Sequence, residues 1–344
     1  MFDGMGSKID AFTVSTPDHT HAVAYLMGMS IGCHCFCQKP MTHSIYEARL
    51  MAEVAREKKL ATEMGNQGTA EAALRRAAAL IKAGGLGAVT EVHVWTNRPI
   101  WPQGGPRPKE EPVPDYLKWD EWISRAPMRP YGRGYHPFAW RGWWDFGTGA
   151  LGDMACHTMN MPFAGLNLRD PVSVEAKTSG HNRDSYPKWS IIEYEFPARA
   201  KRPAVKLTWY DGGKLPDAAL LEGKKVSGSG ALVIGSKGKL YSPHDYGANF
   251  ELLGGAEDVP VEFERSPGHF DEWIRAVKGG KPAMSNFPDH AGPLTETVLL
   301  GNLAVWADGQ KVQWDAKNMK AKTATEVPGI ETVIRPVPRK GYTL

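Results

Sequence analysis

Apolar and polar positions change rhythm once along the chain, close to Val89. Up to that point short apolar runs alternate with longer stretches of helical period. Residues 11–15, 33–38 and 61–64 are expected as short buried strands, and residues 22–29, 44–58 and 71–83 as helices. Gly32 ends the first helix as a C-cap glycine does, and Gly84-Gly85 stops the third. The segment 16–21 is expected as a loop leaving the first strand. Strand–helix units joined by short loops predict a parallel, doubly wound sheet, whose ligands sit beyond the carboxyl ends of its strands.

Beyond Val89 strands dominate. Residues 91–95 alternate as a half-buried strand, and 99–114, rich in Pro and Gly, is expected as a long functional loop. Residues 147–166 are expected as one helix opening with small residues. The segments 172–177, 190–196, 204–210 and 231–234 then alternate with little helix between them, which predicts a large, open, mostly antiparallel sheet. Helices are expected at 269–277 and 293–307. The chain thus divides into a Rossmann-type α/β domain, 1–90, and an α/β domain for substrate binding and oligomerisation, 91–344. A flat sheet of this type buries one face against a second subunit, so a homo-oligomer is expected.

Composition narrows the function classes. The 344 residues allow two domains, and 42% hydrophobic with 23% charged residues is ordinary for a globular protein. The net charge of +3 is spread along the chain, which argues against nucleic-acid partners and a polybasic membrane anchor. No apolar run approaches the ~18 residues of a spanning helix. The first residues have neither the basic nor the apolar region of a signal peptide. An upstream segment could carry one, so the expected compartment is cytoplasmic by default and periplasmic in that case.

Four cysteines do not make a disulfide framework at this length. Cys33, Cys35 and Cys37 share one face of a strand; tight side-by-side spacing suits zinc poorly, and small buried residues are the better reading, with no metal expected. Twelve tryptophans are more unusual. Trp95, Trp101, Trp119, Trp122, Trp140 and Trp143 crowd one stretch, consistent either with a sugar-binding wall or with core packing.

Three features combine into candidate chemistry: Thr16-Pro17 and His21 after one strand, Gln38-Lys39-Pro40 after the next, and Asp153 with His157 four residues on, sharing one helical face. In this order they match the patterns TPxxxH, EKP (with Gln38 in place of Glu) and DxxxH, and the chain resembles the Gfo/Idh/MocA oxidoreductases over nearly its whole length. Residues 95–157 and 286–302 are similar to a sugar-acting branch.

The resemblance implies hydride transfer from a secondary alcohol of a sugar, polyol or glycoside to NAD or NADP. By it, His157 is the general base, working at the near-neutral pKa natural to histidine, and Lys39 stabilises the developing alkoxide. Asp153 orients His157 or binds a neighbouring hydroxyl. Thr16, Pro17, His21, Gln38, Lys39, Asn66, Gln67, Arg141 and Trp143 are the implied cofactor contacts. The sequence departs from the family in one respect: no strand–GxGxxG–helix precedes these motifs. It is read as an N-terminally truncated member with an incomplete Rossmann sheet and weak or absent NAD(P) binding, since that turn presents backbone N–H groups to the pyrophosphate. Two further readings stay open: a glycosidase that retains NAD, and a catalytically silent binding or scaffold protein.

Overall fold

The computed structural model describes residues 2–200 and 202–342. After a short turn of helix, α1 (Phe2–Met5), the strands β1 (Ala11–Val14), β2 (His34–Cys37) and β3 (Thr62–Met64) form a parallel sheet in that order. Helices α2 (Asp18–Ser30), α3 (Ile45–Glu57) and α4 (Ala72–Lys82) follow the three strands. Tyr25 of α2 is fully buried, and its hydroxyl lies 2.7 Å from Val14 O and 2.9 Å from Phe36 O, fixing the helix across β1 and β2.

The loop expected at 16–21 is shorter than that reading: α2 starts at Asp18. Pro17 precedes the first turn at φ −59°, and Asp18 places a carboxylate near the positive end of the helix. Ser44 caps α3 in a reciprocal box, accepting from Glu47 N at 3.3 Å while Glu47 Oε2 accepts from Ser44 N at 3.0 Å. Ser44→Ala should therefore lower stability by about 1 kcal/mol, read as a reduced urea midpoint at unchanged slope.

The second sheet has nine strands: β4 (Val89–Trp95), β5 (Ser173–Thr178), β6 (Ser190–Phe196), β7 (Val205–Tyr210), β8 (Gly230–Gly235), β9 (Gly238–Pro243), β10 (Glu251–Leu253), β11 (Val312–Asp315) and β12 (Lys320–Lys322). Their order is β10-β9-β8-β4-β7-β6-β5-β11-β12, antiparallel throughout except for the parallel pair β4–β7. A large, mostly antiparallel sheet is thus present.

Apart from the short α5 (Trp119–Ile123) and α10 (Ile330–Ile334), the helices here are α6 (Gly149–Thr158), α7 (Asn160–Leu166), α8 (His269–Val277) and α9 (Gly292–Trp306). The single helix expected at 147–166 is two, because Pro162 has no N–H to give to the Thr158 carbonyl. α9 lies against β5 and β6 and also touches α3 and α6, so it packs against both sheets' helices. A Cβ on Gly301 would come within 2.1 Å of the Tyr194 hydroxyl, which is why α9 carries glycine where it meets β6.

β4 does not alternate as expected. Val92 to Trp95 are all buried, because Leu221 and Tyr241 cover the far face over Trp95. The short strands β9 to β12 escaped the sequence reading. β12 is Lys-Ala-Lys, with no apolar pattern to reveal it.

Candidate active site

The carboxyl ends of β2, β3 and β4 open onto one cleft of about 610 Å³. β2 delivers Gln38 and Lys39, β3 delivers Gly65 and Gln67, and the chain leaving β4 delivers Arg98. Across from them α6 presents Asp153 and His157 from one face. Gly149 enters α6 at φ +65°, with Tyr186 so close that a Cβ would lie 2.8 Å from its ring. Only glycine meets both demands.

Asp153 is the hub. Lys39 Nζ donates to Asp153 Oδ1 at 2.7 Å and to the Asp153 carbonyl at 2.9 Å. Arg141 Nε lies 3.3 Å from Oδ1, and Arg98 Nε lies 3.7 Å from Oδ2. Arg141 also reaches Asp18 at 3.1 Å, and Thr148 Oγ1 donates to Asp18 at 2.7 Å. Burial opposes the Asp153 charge, but Lys39 and Arg141 outweigh it and the carboxyl pKa is lowered.

His157 is buried, and its pKa is pushed down to about 3, first by burial and then by the Lys39 ammonium. Nδ1 is sealed from solvent without a hydrogen-bond partner, and the Tyr246 ring meets the imidazole edge-on at 5.0 Å. Two expectations change here. The imidazole is firmly neutral rather than poised near neutrality, and Asp153 makes no hydrogen bond to it among the described residues. The carboxylate orients Lys39 instead.

The remaining sequence-derived residues divide. Gln38, Gln67 and Arg141 line the cleft. His21 does not; its ring nitrogens face Pro40 O at 2.9 Å and Thr16 O at 2.7 Å, so it sits between the loop after β1 and the loop after β2 that carries Lys39. Thr16 is exposed and Pro17 half-buried, both outside the lining. Asn66 is sealed beneath the cleft, donating to Cys156 O at 3.3 Å and accepting from Ser285 at 2.5 Å. Trp143 departs from its expected role: it is buried against Tyr135 and Phe146 and donates to Gly134 O.

The tryptophan stretch divides between core and cleft wall. Trp119, Trp122 and Trp143 build an aromatic core, whereas Trp101 and Trp140 wall the cleft, with Arg141 lying 4.3 Å over the Trp140 ring. Cys33, Cys35, Cys37 and Cys156 are free and buried. Sequence reasoning missed Arg98, Tyr246 and His269 in the lining. An Arg-Pro following a strand, like Lys39-Pro40, was a usable signal for Arg98; Tyr246, on the loop after β9, had none.

A parallel α/β sheet and a broad mixed sheet thus meet at a charged, aromatic-walled cleft, a two-part architecture. Comparison with family models makes this specific. Residues 2–65 match "Oxidoreductase family, NAD-binding Rossmann fold" and residues 88–319 match "Oxidoreductase family, C-terminal alpha/beta domain". The chain belongs to the Gfo/Idh/MocA oxidoreductase family, which makes it an NAD-dependent oxidoreductase.

Among solved structures it is similar to the WlbA dehydrogenase of Bordetella pertussis in complex with NADH and UDP-GlcNAcA, at 17% identity and TM-score 0.62, covering 92% of this chain and 83% of that one. It is similar to an inositol dehydrogenase homologue of Azotobacter vinelandii complexed with NADH and myo-inositol, at 16% identity and TM-score 0.55, covering 91% and 81%. It also resembles the aldose–aldose oxidoreductase of Caulobacter crescentus complexed with glycerol, at 17% identity and TM-score 0.57, covering 91% and 82%. At these identities the likeness is one of fold. No curated protein sequence matches the chain.

Proposed function

We propose that the cleft oxidises a secondary alcohol of a sugar, polyol or glycoside, with Lys39, Asp153 and His157 as its working groups. The observation that carries this reading is their convergence: a fixed ammonium beside a neutral, unpartnered imidazole, in a cleft walled by Trp101 and Trp140.

The residues present fit the redox end of a nicotinamide dinucleotide. Gln38 and Gln67 offer side-chain amides at the strand ends, and the His157 imidazole lines the cleft beside Lys39. NAD or NADP, when bound, accepts the hydride. No glycine-rich cradle for the pyrophosphate is found among the described residues.

Lys39 donates to the substrate oxygen and stabilises the negative charge that grows there; Asp153 holds the ammonium in place. His157 accepts the hydroxyl proton. Its imidazolium is costly beside Lys39 alone, and the cost falls as charge develops on the oxygen between them. The kcat/KM for oxidation reports the free enzyme. It should therefore show no His157 inflection near 6.5 over the range where the protein is folded, because that group titrates at about 3. A rate that halves near pH 6.5 would contradict the assignment.

The division near residue 90 and a homo-oligomer belong to the same proposal. The outer face from β7 to the start of β11 carries charge pairs, Lys206–Glu193 at 2.9 Å and Lys311–Glu195 at 2.8 Å, and is the face expected to meet a second copy. A monomer in light scattering at micromolar concentration would count against it.

A further inference from the structure

Lys39, Arg98 and Arg141 bring three positive charges to the cleft, where Asp153 is the one lining carboxylate among the described residues. Asp18, sealed behind Arg141, supplies a second negative charge. His157 is neutral, and the His269 ring lies 2.9 Å from Glu63, whose carboxyl burial pushes toward its neutral form. One positive charge is left over.

The surplus falls on Arg98. Asp153 gives Oδ1 to Lys39 and Arg141, whereas Arg98 Nε stands 3.7 Å from Oδ2, beyond hydrogen-bond reach. The one side-chain hydrogen bond Arg98 makes among the described residues is to its neighbour Asn97. Its side chain is 23% exposed, so it is partly desolvated, and its one carboxylate neighbour stands 3.7 Å off and is already hydrogen-bonded to Lys39. Such a cation gains more from an incoming anion than a fully hydrated one does.

We propose that Arg98 determines specificity by pairing with an oxyanion on the sugar, and that the group it takes is a carboxylate, as in a uronic or aldonic acid. The proposal rests on the reading of the cleft as a sugar site. A single surplus charge balances a monoanion, while a phosphate dianion leaves a negative charge uncompensated. The planar guanidinium also matches a carboxylate through two parallel hydrogen bonds.

The test is calorimetric binding of D-glucuronate, glucose 6-phosphate and glucitol with NADH present, which needs no turnover. At low salt glucuronate should bind about tenfold to a hundredfold more tightly than glucitol, the range expected of a charge-assisted pair. In Arg98→Gln that ratio should collapse to near one, and Arg98→Lys should restore part of it. Added salt should weaken glucuronate binding and leave glucitol unaffected. Equal affinities in the unsubstituted protein, or a preference that survives Arg98→Gln, overturns the proposal. Tighter binding of glucose 6-phosphate than of glucuronate overturns the choice of carboxylate. If glucuronate is preferred through Arg98 but no sugar is ever oxidised, the binding proposal stands and the dehydrogenase reading fails.

Discussion

Lys39→Met is expected to lower kcat by about 10²–10³-fold, the range seen when one donor to a developing oxyanion is removed. KM should change far less, because the interaction strengthens only as charge appears on the oxygen. The fold should survive: Asp153 keeps Arg141 at 3.3 Å, so the carboxylate is not left unpaired. Asp153→Asn tests the hub from the other side. It frees Lys39 from its 2.7 Å anchor and leaves the neighbouring guanidiniums less compensated. Its kcat should fall too, with the Lys39 ammonium present but misplaced. Steady-state NADH formation at saturating cofactor reads both. A kcat in Lys39→Met within a fewfold of the unsubstituted protein would return Lys39 to a purely structural ion pair.

The second large effect is on stability in mild acid. Burial lowers the pKa of His19 to about 4 and of His157 and His290 to about 3, from an ordinary 6.5. The folded state therefore binds fewer protons than the unfolded chain. The stability these groups confer is fully present above 6.5 and is lost as pH falls toward 3. At pH 5 each costs roughly 2 kcal/mol. Asp211 works in the opposite sense, since burial raises its carboxyl to about 6, and Glu63 and Glu296 are also raised. A net loss of about 4 kcal/mol between pH 7 and pH 5 is expected, a large share of the ~5–15 kcal/mol that typical domains possess. Urea midpoints measured across that interval should fall steeply. A midpoint independent of pH would show that these imidazoles are protonated, or exposed, in the folded protein.

The sequence carried the parts of this molecule that depend on local rules. Ser44 and Glu47 announce the start of α3, and the spacing of Asp153 and His157 places both on one face of α6. What it could not carry is three-dimensional pairing. The spacing put Asp153 and His157 on one face, and the family resemblance implied that Asp153 orients His157 or binds a neighbouring hydroxyl, yet its close partner is Lys39, at the end of β2 and 114 positions away. The depressed pKa of His157 has the same origin, because burial and a distant ammonium leave no trace in a motif. Trp143 and Trp140 are three residues apart with similar surroundings in sequence; one is core and the other cleft wall. His21 fits the family pattern, but its ring is spent on two backbone carbonyls.

The central claim is that this cleft moves a hydride from a carbinol with Lys39 and His157 at the oxygen. The most direct measurement incubates the protein with NAD and a panel of polyols, uronates and glycosides, and follows ketone and NADH together by mass spectrometry. The account predicts that at least one compound yields ketone and NADH in equal amounts, and that Lys39→Met and His157→Ala suppress both while retaining NADH binding. Oxidation that proceeds undiminished in both variants, or NAD and sugar binding at this cleft with no ketone from any compound, would contradict it.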